Sequence, residues 1–156
     1  MKARDLSLMA AIAALYCALV NVFHPISFLA IQVRVANALI GLVPLLGMPS
    51  VYGLALGVLL ANITSPIGPI DLVSAIPTLV GCYLLFRIRD YSVLLGLSVY
   101  SLMLGLWVAY MLWLVFNVPY LVTFVYVFIG ILIATAGLGY LVYKTAKRVV
   151  PKEWVG

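Results

Sequence analysis

The sequence has few charged residues and lacks any polar stretch long enough to form a soluble domain. Only 8% of its 156 residues are charged and 67% are hydrophobic, whereas soluble domains contain about 25% charged residues. So few charges exclude a water-soluble surface, and we expect an integral membrane protein. The apolar runs are too long, and alternate too little, for a transmembrane barrel.

The sequence also lacks the groups that catalysis needs. Its single histidine, His24, excludes a histidine cluster. No nucleophile–base pair, phosphate-binding loop or metal-ligand spacing is present. The sequence therefore predicts neither an enzyme nor a cofactor or metal site. If the protein moves a solute actively, separate subunits must supply the energy.

What is present is a series of apolar segments, which predicts an all-α, six-transmembrane-helix bundle in a single domain. The second and third segments are shorter than the roughly 20 residues that a perpendicular span prefers. They either span the membrane or form one re-entrant hairpin, with the turn between them at Met48-Pro49-Ser50. The predicted spans are 6–23, 36–47, 51–63, 71–86, 92–116 and 120–143, followed by a basic tail at 144–156.

Basic residues mark one side of this bundle. With six spans, three basic clusters fall on the same side, which the positive-inside rule assigns to the cytoplasm. We therefore expect a multi-pass protein of the cell membrane, surrounded by lipid, with both termini cytoplasmic. The net charge of +5 reflects this topology and predicts no nucleic-acid partner. The clusters are Lys2 and Arg4, Arg87 and Arg89, and Lys144, Lys147 and Arg148.

Polar residues flank the two short segments, on the side predicted to be extracellular. They are Gln32, Arg34, Asn37, Asn62 and Asp71. One interpretation is a salt bridge between two loops, or simple solvation at the interface. The other is a polar pocket, in which Arg34 donates to a carbonyl oxygen and Asp71 accepts from N–H groups. Because unsatisfied amides are costly in lipid, we expect both asparagines to face the bundle interior, with helix capping as the alternative.

Two stripes of small residues indicate close helix packing. In the first segment, Ala10, Ala14 and Ala18 recur on one helix face, which lets another helix approach closely. That face either docks a partner or packs inside the bundle. In the third segment, the stripe of Gly53, Gly57 and Ala61 favours packing inside the bundle.

Aromatic residues in the fifth segment form a third pattern. Trp107, Tyr110 and Trp113 recur at a spacing of three. Such residues serve as interface anchors or core residues, or they stack on a flat ligand near the outer mouth. Tyr110 and Trp113 are the candidates for stacking.

Several of these features together resemble a known family. The motifs are Gln32-Val-Arg34-Val-Ala-Asn37-Ala-Leu, Pro44-Leu-Leu-Gly, Gly53-x3-Gly57-x3-Ala61-Asn62 and Gly68-Pro-Ile-Asp71-Leu-Val. With the length and the predicted topology, they resemble the QueT family. Its members are substrate-binding (S) components of energy-coupling factor (ECF) transporters, assigned to the uptake of queuosine precursors.

The resemblance implies that this chain binds the substrate and that separate subunits supply the energy. The S component would bind a deazaguanine base near the extracellular face, in the pocket of polar residues described above. The alanine face of its first helix (Ala10, Ala14 and Ala18) would dock onto a transmembrane coupling subunit, which two ATPase subunits drive. The family usually has Ser-Glu where this chain has Ala36-Asn37, so we expect a neutral ligand to be preferred over an amine-bearing one. The alternatives are an S component for another vitamin or purine-like base, and a structural membrane protein without a ligand.

Overall fold

In the computed structural model, residues 2–23 and 34–151 are described, and all secondary structure assigned in them is helical. This confirms the all-α prediction. In this part of the chain the apolar helices are α1 (Ala3–Val22), α2 (Val35–Leu46), α3 (Met48–Thr64), α4 (Pro69–Ile88), α5 (Val93–Phe116) and α6 (Tyr120–Val149). Among these described helices, α1, α4, α5 and α6 are long and apolar enough to cross a membrane, whereas α2 and α3 are shorter.

Local signals explain where several helices begin and end. The Ser92 side chain accepts a hydrogen bond from the backbone N–H of Leu95 at 3.3 Å and so caps the start of α5. Asn117 ends the same helix in a left-handed conformation, with φ of 53°. At the start of α1, the Asp5 carboxylate accepts from the backbone N–H of Lys2 at 3.0 Å.

The turn between α2 and α3 lies one position earlier than the sequence predicted. Gly47 makes the turn with φ of 69° and ψ of −148°, a conformation that glycine adopts without steric cost. Met48, Pro49 and Ser50 are already helical, because proline is tolerated in the first turn of a helix. The prediction of a Met48–Ser50 turn was therefore wrong.

Two helices depart from regular α geometry. The first eight residues of α2, Val35–Leu42, are a 3₁₀-helix, which rises about 2.0 Å per residue and is therefore longer than an α-helix of the same residues. The middle of α6, Ile133–Gly139, is a π-helix. These two irregular stretches pack against each other, with Gly41 meeting the backbone of Gly139. Neither irregularity was predicted from the sequence.

The helices form a closed bundle. Neighbours pack in the order α1, α3, α4, α5, α6 and α2, and α2 then returns to α1. The first part of the basic segment after residue 143 is helical and continues α6 as far as Val149. Inside the bundle, most side chains are hydrocarbon, but Arg34 and Asp71 are also buried.

Candidate functional site

An ion pair lies inside the bundle at the starts of α2 and α4. The Nη2 atom of Arg34 is 3.3 Å from Oδ2 of Asp71, and the two side chains are only 5% and 0% exposed. Of the interpretations that the sequence left open for these two residues, a salt bridge is present. It lies in the interior rather than in solvated loops, so its remaining polar groups need partners.

The Asp71 carboxylate is surrounded by donors. Oδ1 accepts from Asn62 Nδ2 at 3.0 Å and from Ser74 Oγ at 2.7 Å. Oδ2 accepts from Ser65 Oγ at 2.6 Å and from Arg34 Nη2 at 3.3 Å. A carboxylate has about four lone-pair sites, so these donors fill its capacity.

Asn62 links the charged groups to each other. Its Oδ1 accepts from Arg34 Nη1 at 3.2 Å, and its Nδ2 also donates to the backbone carbonyl of Asp71 at 2.8 Å. The residue is 2% exposed. Asn62 therefore faces the interior, as predicted, and bonds across to α4 instead of capping its own helix.

Hydroxyl groups extend the polar cluster along α4. Ser74 accepts a hydrogen bond from Trp107 Nε1 at 2.9 Å, and Thr78 Oγ1 donates to the backbone carbonyl of Ser74 at 2.8 Å. Sequence reasoning did not assign Ser74, Thr78 or Trp107 to the site. The signal was present, since Asp71, Ser74 and Thr78 are spaced by three and four residues and so share one helix face.

A small cavity adjoins the ion pair. Its volume is about 10 Å³, close to what one water molecule requires. Polar side chains line part of it and hydrocarbon side chains the rest. The lining residues are Tyr16, Arg34, Asn37, Val58, Ser74, Thr78, Leu104, Val108 and Ile131.

Asn37 presents an unpaired donor at this cavity. The residue is 0% exposed, and its Oδ1 accepts from the Tyr16 hydroxyl at 2.7 Å. Its Nδ2 has no hydrogen-bond partner among the described residues. The interior position predicted for Asn37 is confirmed. Tyr16, on α1, is a cavity residue that the sequence analysis missed.

The other predicted ligand residues are not part of this cluster. Tyr110 and Trp113 are each 43% exposed on the surface of α5, with ring centroids 5.7 Å apart. They are not among the described residues that line the cavity, and their role in binding stays a prediction. Gln32 lies outside the described residues.

The two faces of α1 differ in their surroundings. Ala10, Ala14 and Ala18 are exposed, so this face does not pack inside the bundle. The opposite face packs on α3, where a Cβ atom added to Gly53 would lie 2.8 Å from the backbone oxygen of Met9. Packing of the glycine stripe inside the bundle is therefore confirmed, while docking by the alanine face stays a prediction.

Comparison with known proteins agrees with the resemblance found in the motifs. The family model described as QueT transporter matches residues 6–148. The match covers all six helices except the last residue of α6 and the first residues of α1. No curated protein and no solved structure matched.

Proposed function

The chain belongs to the QueT transporter family, and on that premise we propose that it is the substrate-binding S component of an ECF importer. Membership in a transporter family and four helices long and apolar enough to cross a membrane support a membrane transport component. In the proposed mechanism it captures a queuosine precursor, a deazaguanine base, at the extracellular face of the cell membrane. It then docks on a transmembrane coupling subunit, and two ATPase subunits supply the energy.

The observation that carries this proposal is the buried polar cluster beside the cavity. Charged residues inside a membrane bundle are costly and mark functional sites. Here they occur with an amide donor, Nδ2 of Asn37, that has no partner among the described residues. A deazaguanine base carries donors and acceptors along the same flat ring system. Such a ligand suits a site that combines an amide, three hydroxyls and a guanidinium.

The charge balance of the site supports a neutral ligand. The positive charge of Arg34 is paired with the negative charge of Asp71, and the carboxylate is already filled by donors from Arg34, Asn62, Ser65 and Ser74. A cationic aminomethyl arm would therefore find no free carboxylate. Asn37 is neutral where the resemblance implies that a glutamate is usual. We expect the cyano-substituted deazaguanine to bind more tightly than the aminomethyl-substituted one.

The role of Asp71 in this proposal is to hold Arg34. Its oxygens are bonded to protein groups, whereas Arg34 and Asn37 line the cavity directly. A base is much larger than the cavity of about 10 Å³, so binding requires the surrounding helices to move apart. Ligand binding in this protein is therefore coupled to a change of helix packing.

The exposed alanine face of α1 supports the docking step. Small side chains let two helices approach closely in a membrane, where van der Waals packing drives association. Ala10, Ala14 and Ala18 are exposed and so are available to a second protein. The partner proposed for this face is the coupling subunit.

A thermal-shift panel on the detergent-purified protein tests the proposal. A compound that binds the folded state raises the melting temperature. We expect a shift with the cyano-substituted deazaguanine that disappears in Asn37→Leu, a change that keeps the branching at Cγ but removes the amide. The matched control is Asn21→Leu, because Asn21 lies on the exposed surface of α1.

Two results would contradict the proposed substrate. A shift with a vitamin alone would retain the transporter but replace the deazaguanine. An absence of any shift, in protein shown to be folded, would favour a membrane protein without a ligand.

A further inference from the structure

The orientation of the Asn37 amide decides what this part of the cavity can bind. An amide presents a donor on one side and an acceptor on the other, and the hydrogen-bond network determines which is which. In this structure Tyr16 donates to Oδ1 at 2.7 Å, so Nδ2 is the atom left without a partner among the described residues.

Arg34 explains why Tyr16 acts as the donor. Arg34 and Tyr16 both line the cavity. A guanidinium has donors but no acceptor. Tyr16 therefore cannot donate its hydroxyl hydrogen to Arg34, and it donates it to Asn37 Oδ1.

Packing holds Tyr16 in this position. The residue is 1% exposed, and α3 approaches it closely at Gly57, where an added Cβ atom would lie 2.8 Å from the Tyr16 Cβ atom. The hydroxyl is thus carried by a side chain with little freedom to move. Packing against α3 thus positions Tyr16, and Tyr16 in turn orients the amide of Asn37.

We propose that Tyr16 is a specificity-determining positioning residue, which holds the Asn37 amide with its NH₂ group towards the ligand. This subsite then accepts a hydrogen-bond acceptor, such as a nitrile nitrogen or a carbonyl oxygen, and discriminates against an ammonium group. The inference rests on the proposed function, because it concerns the same ligand site.

The discrimination between the two ligands follows from whether the Nδ2 donor of Asn37 meets an acceptor or another donor. An ammonium group placed against Nδ2 would leave two buried donors facing each other, and each unsatisfied donor carries a desolvation penalty. A site that matches one polar group rejects its mismatched analogue strongly. If the amide were free to rotate, Oδ1 would serve the ammonium group and the discrimination would fall.

The test compares two ligands on Tyr16→Phe. Dissociation constants for the cyano- and aminomethyl-substituted deazaguanines are measured by calorimetry on purified protein. We expect the wild-type protein to prefer the cyano compound by about tenfold or more, the effect of roughly one hydrogen bond. In Tyr16→Phe the ratio should fall towards one, because Oδ1 loses its donor. Tyr52→Phe, on the half-exposed surface of α3, should keep the wild-type ratio.

Asn37→Asp provides an independent test if Tyr16→Phe does not fold. It replaces the Nδ2 donor by an acceptor at nearly constant shape, and we expect the preference to reverse in favour of the aminomethyl compound. A purely structural role for Tyr16 would weaken both ligands equally and leave the ratio unchanged.

The outcomes separate this inference from the proposed function. Wild-type binding with a ratio that is the same in Tyr16→Phe overturns the inference and leaves the function standing, as does an unreversed ratio in Asn37→Asp. Wild-type protein that binds neither deazaguanine overturns both.

Discussion

The buried ion pair predicts a strong energetic coupling between Arg34 and Asp71. Removing one partner of a buried pair costs about 3–5 kcal/mol, because the other charge remains buried without compensation. Asp71→Ala also takes an acceptor away from Asn62, Ser65 and Ser74. We therefore expect its free energy of unfolding to fall by about 5 kcal/mol, at the upper end of that range.

A double variant that combines Arg34→Met with Asp71→Ala shows whether the two charges depend on each other. If Arg34→Met and Asp71→Ala acted separately, their costs would add to roughly 6–10 kcal/mol. If Arg34 depends on Asp71, the double variant leaves no uncompensated charge and costs little more than either single change. We expect a coupling free energy of at least about 2 kcal/mol.

Unfolding by SDS titration in mixed micelles measures these free energies. The control is Asp90→Ala, because Asp90 is 92% exposed in its ion pair with Arg89 and exposed pairs contribute only about 0–1 kcal/mol. Additivity of the Arg34 and Asp71 changes within about 0.5 kcal/mol would refute the reasoning, since it would mean that neither charge depends on the other.

Three further predictions address packing, docking and the hydroxyl cluster. Gly53→Ala should lower the free energy of unfolding by about 1–3 kcal/mol through overpacking, whereas Gly137→Ala should be close to neutral in the same titration, because a Cβ there has open space around it. Ala14→Leu should leave ligand binding intact but abolish co-purification with the coupling subunit; retained co-purification would exclude the alanine face. Trp107→Phe should cost about 1 kcal/mol and Ser74→Ala more, because Ser74 also donates to Asp71. The two costs should not be additive, because the two residues share one hydrogen bond; additive costs would contradict that bond.

Helix boundaries were predictable from the sequence where a local signal fixes them. The predicted span 92–116 lies within one residue of the observed α5, Val93–Phe116, which Ser92 caps and Asn117 ends in a left-handed conformation. The predicted sixth span ends at 143, whereas the helix itself continues to Val149. The reason is that hydrophobicity reports where an apolar environment ends, whereas a helix continues into a polar segment without interruption.

Irregular helix geometry could not be predicted because it depends on tertiary contact. Nothing local to Val35–Leu42 specifies a 3₁₀-helix of that length, which is longer than such helices usually are. The close approach of Gly41 to Gly139 involves residues far apart in the sequence. Only the folded chain brings them together.

Part of the candidate site could be predicted from the sequence. Arg34, Asn37, Asn62 and Asp71 stand out because charges and amides are rare in apolar helices. The hydroxyl of Ser74 does not stand out, since a helical serine can bond to a carbonyl of its own helix. The Asp71 carboxylate is filled by four donors, and three of them (Arg34, Asn62 and Ser65) lie outside its own helix, so only the folded chain brings them to it.

The two faces of α1 place the proposed docking surface and the proposed ligand site very close together. Ala14 and Ala18 face outwards and Tyr16, between them in sequence, faces the cavity. An α-helix with its side chains is about 10–12 Å across, so a protein bound to the outer face would lie one helix diameter from the ligand. A small rotation of α1 would then change the contacts at the outer face and at the cavity together. By thermodynamic reciprocity, a ligand that changes affinity for the docked protein must have its own affinity changed by the same factor, with a single helix as the transmitting element.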